Sequence, residues 1–205
     1  MKGKIQLLYV HGGETFKNRH DYLKNLRTRE IKIEARRRWH GEYFDKTLGK
    51  KFQIIRPRMP LSDNAIYNEW KIHFERHFPK LKSNVILVGN SLGGIFLAKY
   101  LSENKPKKKI LSTYLVCPPF YGKSVPKAAA SGFALKKDLT AMQKHTKNLC
   151  LMFSKDDDVV PVEHAEKYRN ALKQPRIIIY KSKNGHFRIE KFPELVRMIK
   201  ADVKL

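Results

Sequence analysis

The segment Gly89-Asn90-Ser91-Leu92-Gly93-Gly94 sets a serine between glycines two positions away on either side. It follows the apolar run Val85–Val88 and precedes a helix-forming stretch, so a strand must turn sharply into a helix at Ser91. Such a turn forces the serine into a strained backbone conformation that projects its hydroxyl. Side chains at positions 89 and 93 would collide there, which is why both are glycine. The helix amino terminus adds an oriented amide, that of Leu92, and a field that favours negative charge. These are the requirements of a nucleophile.

A serine hydroxyl attacks only when a base takes its proton. His186, in Asn184-Gly185-His186-Phe187 just past the apolar run Ile177–Tyr180, occupies a loop after a late strand and is the candidate. A carboxylate must then orient the imidazole. Ser154-Lys155-Asp156-Asp157-Asp158-Val159-Val160-Pro161 follows the run Leu149–Phe153 and offers three. Asp157 fits best, as the first residue of Asp-x-x-Val-Pro with the apolar pair packing behind it. Asp156 is the second choice, and Asp158 suits a helix-capping turn. The chain order serine, aspartate, histidine is one of those a hydrolytic triad takes. His11-Gly12-Gly13-Glu14, after the first apolar run, can bring the Gly13 amide beside that of Leu92 as an oxyanion hole. Each such donor is worth on the order of 3 kcal/mol of barrier.

These residues need a scaffold that gathers them. The apolar runs Ile5–Val10, Phe52–Ile55, Val85–Val88, Ile110–Val116, Leu149–Phe153 and Ile177–Tyr180 are continuous rather than alternating, as in strands covered on both faces of a parallel sheet. Between them Asn64–Phe78, Leu92–Leu101, Val162–Leu172 and Ile189–Val203 read as amphipathic helices. Alternation of this kind implies right-handed crossovers and an open α/β sheet. Phe16–Lys51, rich in arginine, is expected to form one or two helices crossing the sheet. Pro118–Asn148 is expected to hold one helix near Leu135–His145. Both should lie at the carboxyl ends of the strands, where ligands bind.

The chain has 205 residues, 41% of them hydrophobic, enough for one domain spanning 1–205 with a core of its own. No apolar run reaches the roughly 20 residues of a membrane span. The short apolar start runs into His11-Gly12-Gly13 without a cleavage site, so a cytoplasmic protein is expected. Cys117 and Cys150 sit in separate apolar runs and read as buried reduced thiols. Forty-three lysines and arginines against 19 acidic residues give a formal charge of +24. Such a surface attracts anions. It leaves open a second function, a protein with little turnover that binds nucleic acid or another anionic partner.

Four motifs in this order, each at the end of a strand, resemble the α/β-hydrolase family over nearly the whole chain. Small size, no obvious large cap domain and the segment Pro57-Arg58-Met59-Pro60…Trp70 resemble the short serine hydrolases of the retinoblastoma-binding-protein-9 and YdeN type. The Arg-rich excursion Phe16–Lys51 is longer than that group's pattern. The resemblance implies a mostly parallel open sheet of about six strands with helices on both faces. It implies catalysis by Ser91, His186 and Asp157, an oxyanion hole of Gly13 and Leu92, and hydrolysis of a carboxylic ester, thioester or amide through an acyl-enzyme. It requires no metal or cofactor. The implied partner is a small acyl substrate, anionic if the Phe16–Lys51 arginines face the pocket; nucleic acid is the less favoured partner.

Other motifs carry less. Gly122-Lys123-Ser124 lacks the upstream glycine of a phosphate loop, having Cys117 there, and Val125-Pro126 is not expected to continue a helix. His73 and His77 are four apart, but the intervening glutamate is misplaced for a zinc protease. Arg36-Arg37-Arg38-Trp39-His40 suits either a nucleic-acid patch or a charged helix face with Trp39 turned inward. Lys105-Pro106-Lys107-Lys108-Lys109 reads as a solubilising turn at the end of the sheet away from the active site.

Overall fold

Strand residues that alternate between two buried faces build the centre of the molecule. The computed structural model describes residues 3–31, 33 and 37–204. Six strands, β1 (Ile5–Val10), β2 (Phe52–Ile55), β3 (Val85–Asn90), β4 (Ile110–Val116), β5 (Thr146–Ser154) and β6 (Arg176–Tyr180), form one sheet in the order β2-β1-β3-β4-β5-β6. Every pairing is parallel. Leu8, Val10, Leu87, Leu115, Leu151 and Phe153 point to one face, where α3 (Tyr67–His77), α4 (Leu92–Glu103) and α7 (His164–Ala171) bring Trp70, Phe74, Phe96 and Tyr168. Leu7, Tyr9, Val88, Val116 and Met152 point to the other. There they meet Trp39, α2 (Phe44–Leu48) and α8 (Pro193–Asp202). This is an open, wholly parallel α/β sheet with helices on both sides, as expected from the sequence.

The order matters for chemistry. After β1 the chain leaves for β2 on one side, and after β3 it leaves for β4 on the other. The loops following β1 and β3 therefore part, and a crevice opens at the carboxyl ends of these two strands. His11–Glu14 and Ser91 stand on its two sides.

Several boundaries differ from the sequence expectation. Within 16–51, α1 (Arg19–Thr28) buries no residue, so it lies on the surface rather than across the sheet. The crossing is made instead by the turn Trp39–Tyr43 and α2, where Trp39 and Phe44 are 1% and 0% exposed. Two short helices, α5 (Pro126–Ser131) and α6 (Thr140–Lys144), replace the one expected near Leu135–His145. Pro126 begins α5, where its missing N–H costs nothing. Gly132, at φ 78°, ends it. The last helix begins at Pro193, not Ile189, for the same proline reason, with Phe192 non-helical ahead of it yet still packed on Trp39. In the segment expected as the helix Val162–Leu172, regular helix starts at His164. Arg36 of the arginine run lies outside the described residues. No described helix is long and apolar enough to cross a membrane.

Candidate active site

At the end of β3, Ser91 adopts φ 53° and ψ −118°, a conformation that L-residues rarely hold. Its N–H donates to the Val116 carbonyl at 2.8 Å, and its own carbonyl accepts from Gly94 N–H at 2.8 Å, which locks the turn between β4 and α4. A Cβ on Gly93 would lie 2.2 Å from the Val10 carbonyl oxygen, and one on Gly89 would lie 2.5 Å from that of Gly93. The glycines thus let β1, β3 and α4 meet at one point. Leu92 opens α4, where an amide has no partner within the helix.

The loop after β1 is held from beneath by His11. Its Nε2 accepts from Met59 N–H at 2.9 Å, so its proton sits on Nδ1, which donates to the Gly12 carbonyl at 2.6 Å. Glu14 N–H donates to the Ser62 carbonyl, which a Cβ on Gly13 would strike at 2.4 Å. The Met59–Ser62 segment and Trp70, whose Nε1 donates to Pro60, therefore press the Gly12-Gly13 backbone toward Ser91. This supporting role of His11 was not legible in His11-Gly12-Gly13 alone.

The three adjacent aspartates separate by partner. Asp157, whose side chain is 1% exposed, receives His186 Nδ1 at 2.9 Å on both oxygens and the amides of Val159 and Val160 at 2.9 and 2.8 Å on Oδ1. Asp156 is bound by the hydroxyls of Ser154 and Ser182 and the amides of Lys183 and Gly185. The two hydroxyl contacts, then the amides, hold its carboxyl well below the usual range. Asp158 pairs with Arg188 at 2.8 Å and caps no helix, since the next helix begins at His164 without a side-chain cap; the amides that follow in the turn bind Asp157 instead. All three fix the loop carrying His186, whose backbone is left-handed at Asn184, Gly185 and Phe187.

His186 directs Nε2 away from Asp157. That nitrogen lies 3.8 Å from Cys117 Sγ, and among the described residues no hydrogen bond joins it to the Ser91 hydroxyl. Cys117 is a buried free thiol, as expected, and burial first, then Asp157, pushes its pKa up. Cys117, Asp157 and His186 present donor atoms within 4.8 Å of one another. The thiol is held in the protonated form that binds metal poorly, and Asp157 is already committed to ring and amides.

Ser91, His186, Gly12, Gly13 and Leu92 all line one cavity of about 710 Å³. Its outer wall adds residues not anticipated as site components: Arg38, His40, Pro119, Tyr121 and Lys127. Burial, then Arg38 and Arg56, lowers the His40 imidazole to about 4, so it is neutral near pH 7. Among the decoys, His77 Nδ1 bonds the His73 carbonyl, the ordinary contact of a helix surface.

Residues 35–195 match the serine hydrolase family model. Among solved structures, the ydeN gene product of Bacillus subtilis superposes with a TM-score of 0.75 at 15% identity, covering 98% of this chain and 100% of that one. A YdeN-like hydrolase from Pectobacterium atrosepticum gives 0.65 at 13% identity, over 98% and 91%. An esterase from Exiguobacterium antarcticum gives 0.59 at 16%, over 100% and 94%. No curated protein sequence matches the chain. With a family match over most of its length and an elbow serine at the crevice of a parallel sheet, the chain belongs to the serine hydrolase family, and it shares the α/β-hydrolase fold of the YdeN structures.

Proposed function

We propose that this hydrolase cleaves a carboxylic ester, or the related thioester or amide, through an acyl-enzyme on Ser91. The observation that carries the proposal is the pairing of His186 Nδ1 with a buried Asp157. It leaves Nε2 as the acceptor in a cavity that also holds the elbow serine. Ser91 Oγ attacks the acyl carbonyl while Nε2 takes its proton. The alkoxide oxygen lies between the Gly13 and Leu92 amides, and the protonated ring then gives its proton to the leaving group. Water, deprotonated by the same nitrogen, releases the acid. The mechanism requires His186 Nε2 to close on the Ser91 hydroxyl as substrate binds, the stage at which catalytic hydrogen bonds form their productive geometry. The test is covalent: a fluorophosphonate should add one phosphonyl group to the wild type, at Ser91, and none to Ser91→Ala. A labelled Ser91→Ala protein would refute the assignment of the nucleophile.

The cavity wall sets the substrate's charge. Its lining carries three cations, Arg38, Lys127 and Arg188, against one carboxylate, Glu14. An acyl substrate bearing an anionic group away from the scissile bond is therefore favoured. Arg38→Gln/Lys127→Gln should raise KM for the p-nitrophenyl half-ester of a dicarboxylic acid by roughly three- to tenfold, as two partly exposed charge contacts would. KM for a neutral ester of equal length, and kcat for both, should barely change. Equal shifts in both KM values would show that the cations do not read the substrate.

A further inference from the structure

The amino-terminal rim of the sheet, opposite the candidate active site, holds a second cavity of about 470 Å³. Three separate stretches form it. Pro106–Lys109 enters β4, Lys144 and His145 close α6, and Lys147 begins β5. Asn84 N–H donates to the Lys109 carbonyl at 2.8 Å, and Ile110 pairs with Val85 and Thr146, so the stretches are fixed beside one another by the strands they lead into. Five lysines line the space (107, 108, 109, 144 and 147) and no carboxylate does. Among the described residues none of the five has an ion pair. His145, half-buried within the group, has its pKa lowered by burial and then by Lys105 and Lys144, which reports the positive potential there.

A convergence of like charges without counter-charge costs stability that a bound anion would relieve. Lysine is a point-charge binder of phosphate. The cavity wall has no Phe, Tyr or Trp, and its one ring is that of the half-buried His145, so a single-stranded nucleic acid finds no run of rings on which to stack successive bases. Dense charge in a small volume fits a compact phosphate chain. We propose that this cavity binds a polyphosphate anion, inorganic triphosphate or the triphosphate of a nucleotide, through Lys107, Lys108, Lys109, Lys144 and Lys147. The turn Lys105–Lys109 is then half of a binding site completed by α6 and β5.

Calorimetric titration of the full chain with inorganic triphosphate at about 0.15 M salt tests this. Saturable one-to-one binding is expected, weakened roughly tenfold or more in Lys108→Gln/Lys144→Gln, a change of about 1.4 kcal/mol or more. The charge-matched control Lys24→Gln/Lys167→Gln, on α1 and α7, should bind as the wild type does. Both variants should hydrolyse ester as the wild type does, and Lys108→Gln/Lys144→Gln should melt no lower than the wild type, since it removes like-charge repulsion. Binding of a nucleoside triphosphate as tight as that of triphosphate supports recognition of the phosphate chain. Absence of saturable binding, equal loss in the two double variants, or tighter binding of an oligonucleotide or of anionic vesicles than of triphosphate each overturns the proposal.

Discussion

Replacing His186 by alanine is expected to lower kcat for any ester this protein turns over by on the order of 10⁴- to 10⁶-fold, with KM little changed. The size follows from the work assigned to the ring. Without it no group accepts the Ser91 proton as the carbonyl is attacked, and none returns it to the leaving group. What survives is binding and the two amide donors. The fold should survive as well, because Asp157 keeps the Val159 and Val160 amides and Asp156 keeps the 182–185 backbone. Fluorophosphonate labelling of Ser91 should slow in parallel, since it needs the same proton transfer. His40→Ala is the control. His40 is another imidazole on the cavity wall, but it stacks on Tyr9 at 4.8 Å between ring centroids and has no carboxylate partner among the described residues. Its loss should change kcat by less than about tenfold. A His186→Ala enzyme within tenfold of the wild type would place the base elsewhere, with His40 the first residue to examine.

What could be read from the chain alone follows the range of the forces involved. The elbow was legible because its demands are local: a strand, a serine, a helix, and glycines wherever a Cβ would meet the backbone. The parallel sheet was legible because strands buried on both faces are continuous apolar runs. The cavity wall was not. Trp39 is placed by Tyr9, Phe44 and Phe192, contacts spread over most of the chain, and only that packing turns the neighbouring Arg38 and His40 to the crevice. The arginine run offered a nucleic-acid patch or a helix face, and Arg38 joins a cavity wall instead. Cys117 read as an inert buried thiol; that it also touches His186 depends on β4 ending beside the elbow. The lysine cavity was hidden for a like reason. Lys144 and Lys147 come near Lys107–Lys109 only because β5 pairs with β4.

Asp157→Asn is expected to lower kcat by about 10⁴-fold at neutral pH, whereas Asp156→Asn should lower it by roughly tenfold or less. The two residues are adjacent and differ by geometry alone. An amide at position 157 can turn its nitrogen toward the ring, which selects the wrong tautomer and removes the negative charge that stabilises the imidazolium. An amide at 156 leaves ring and acid untouched and loosens only the backbone that carries them. Acid titration separates these roles. The carboxyl of Asp156 is lowered in the folded protein, so its contribution to stability is complete above its unfolded value of about 4 and fades as pH falls through the lower folded value. The melting-temperature gap between wild type and Asp156→Asn should therefore be constant from pH 6 to 8 and begin to narrow only below about pH 4. Comparable kcat losses in the two variants would mean that the loop, not the carboxylate touching His186, limits the reaction. A larger loss in Asp156→Asn would exchange their roles.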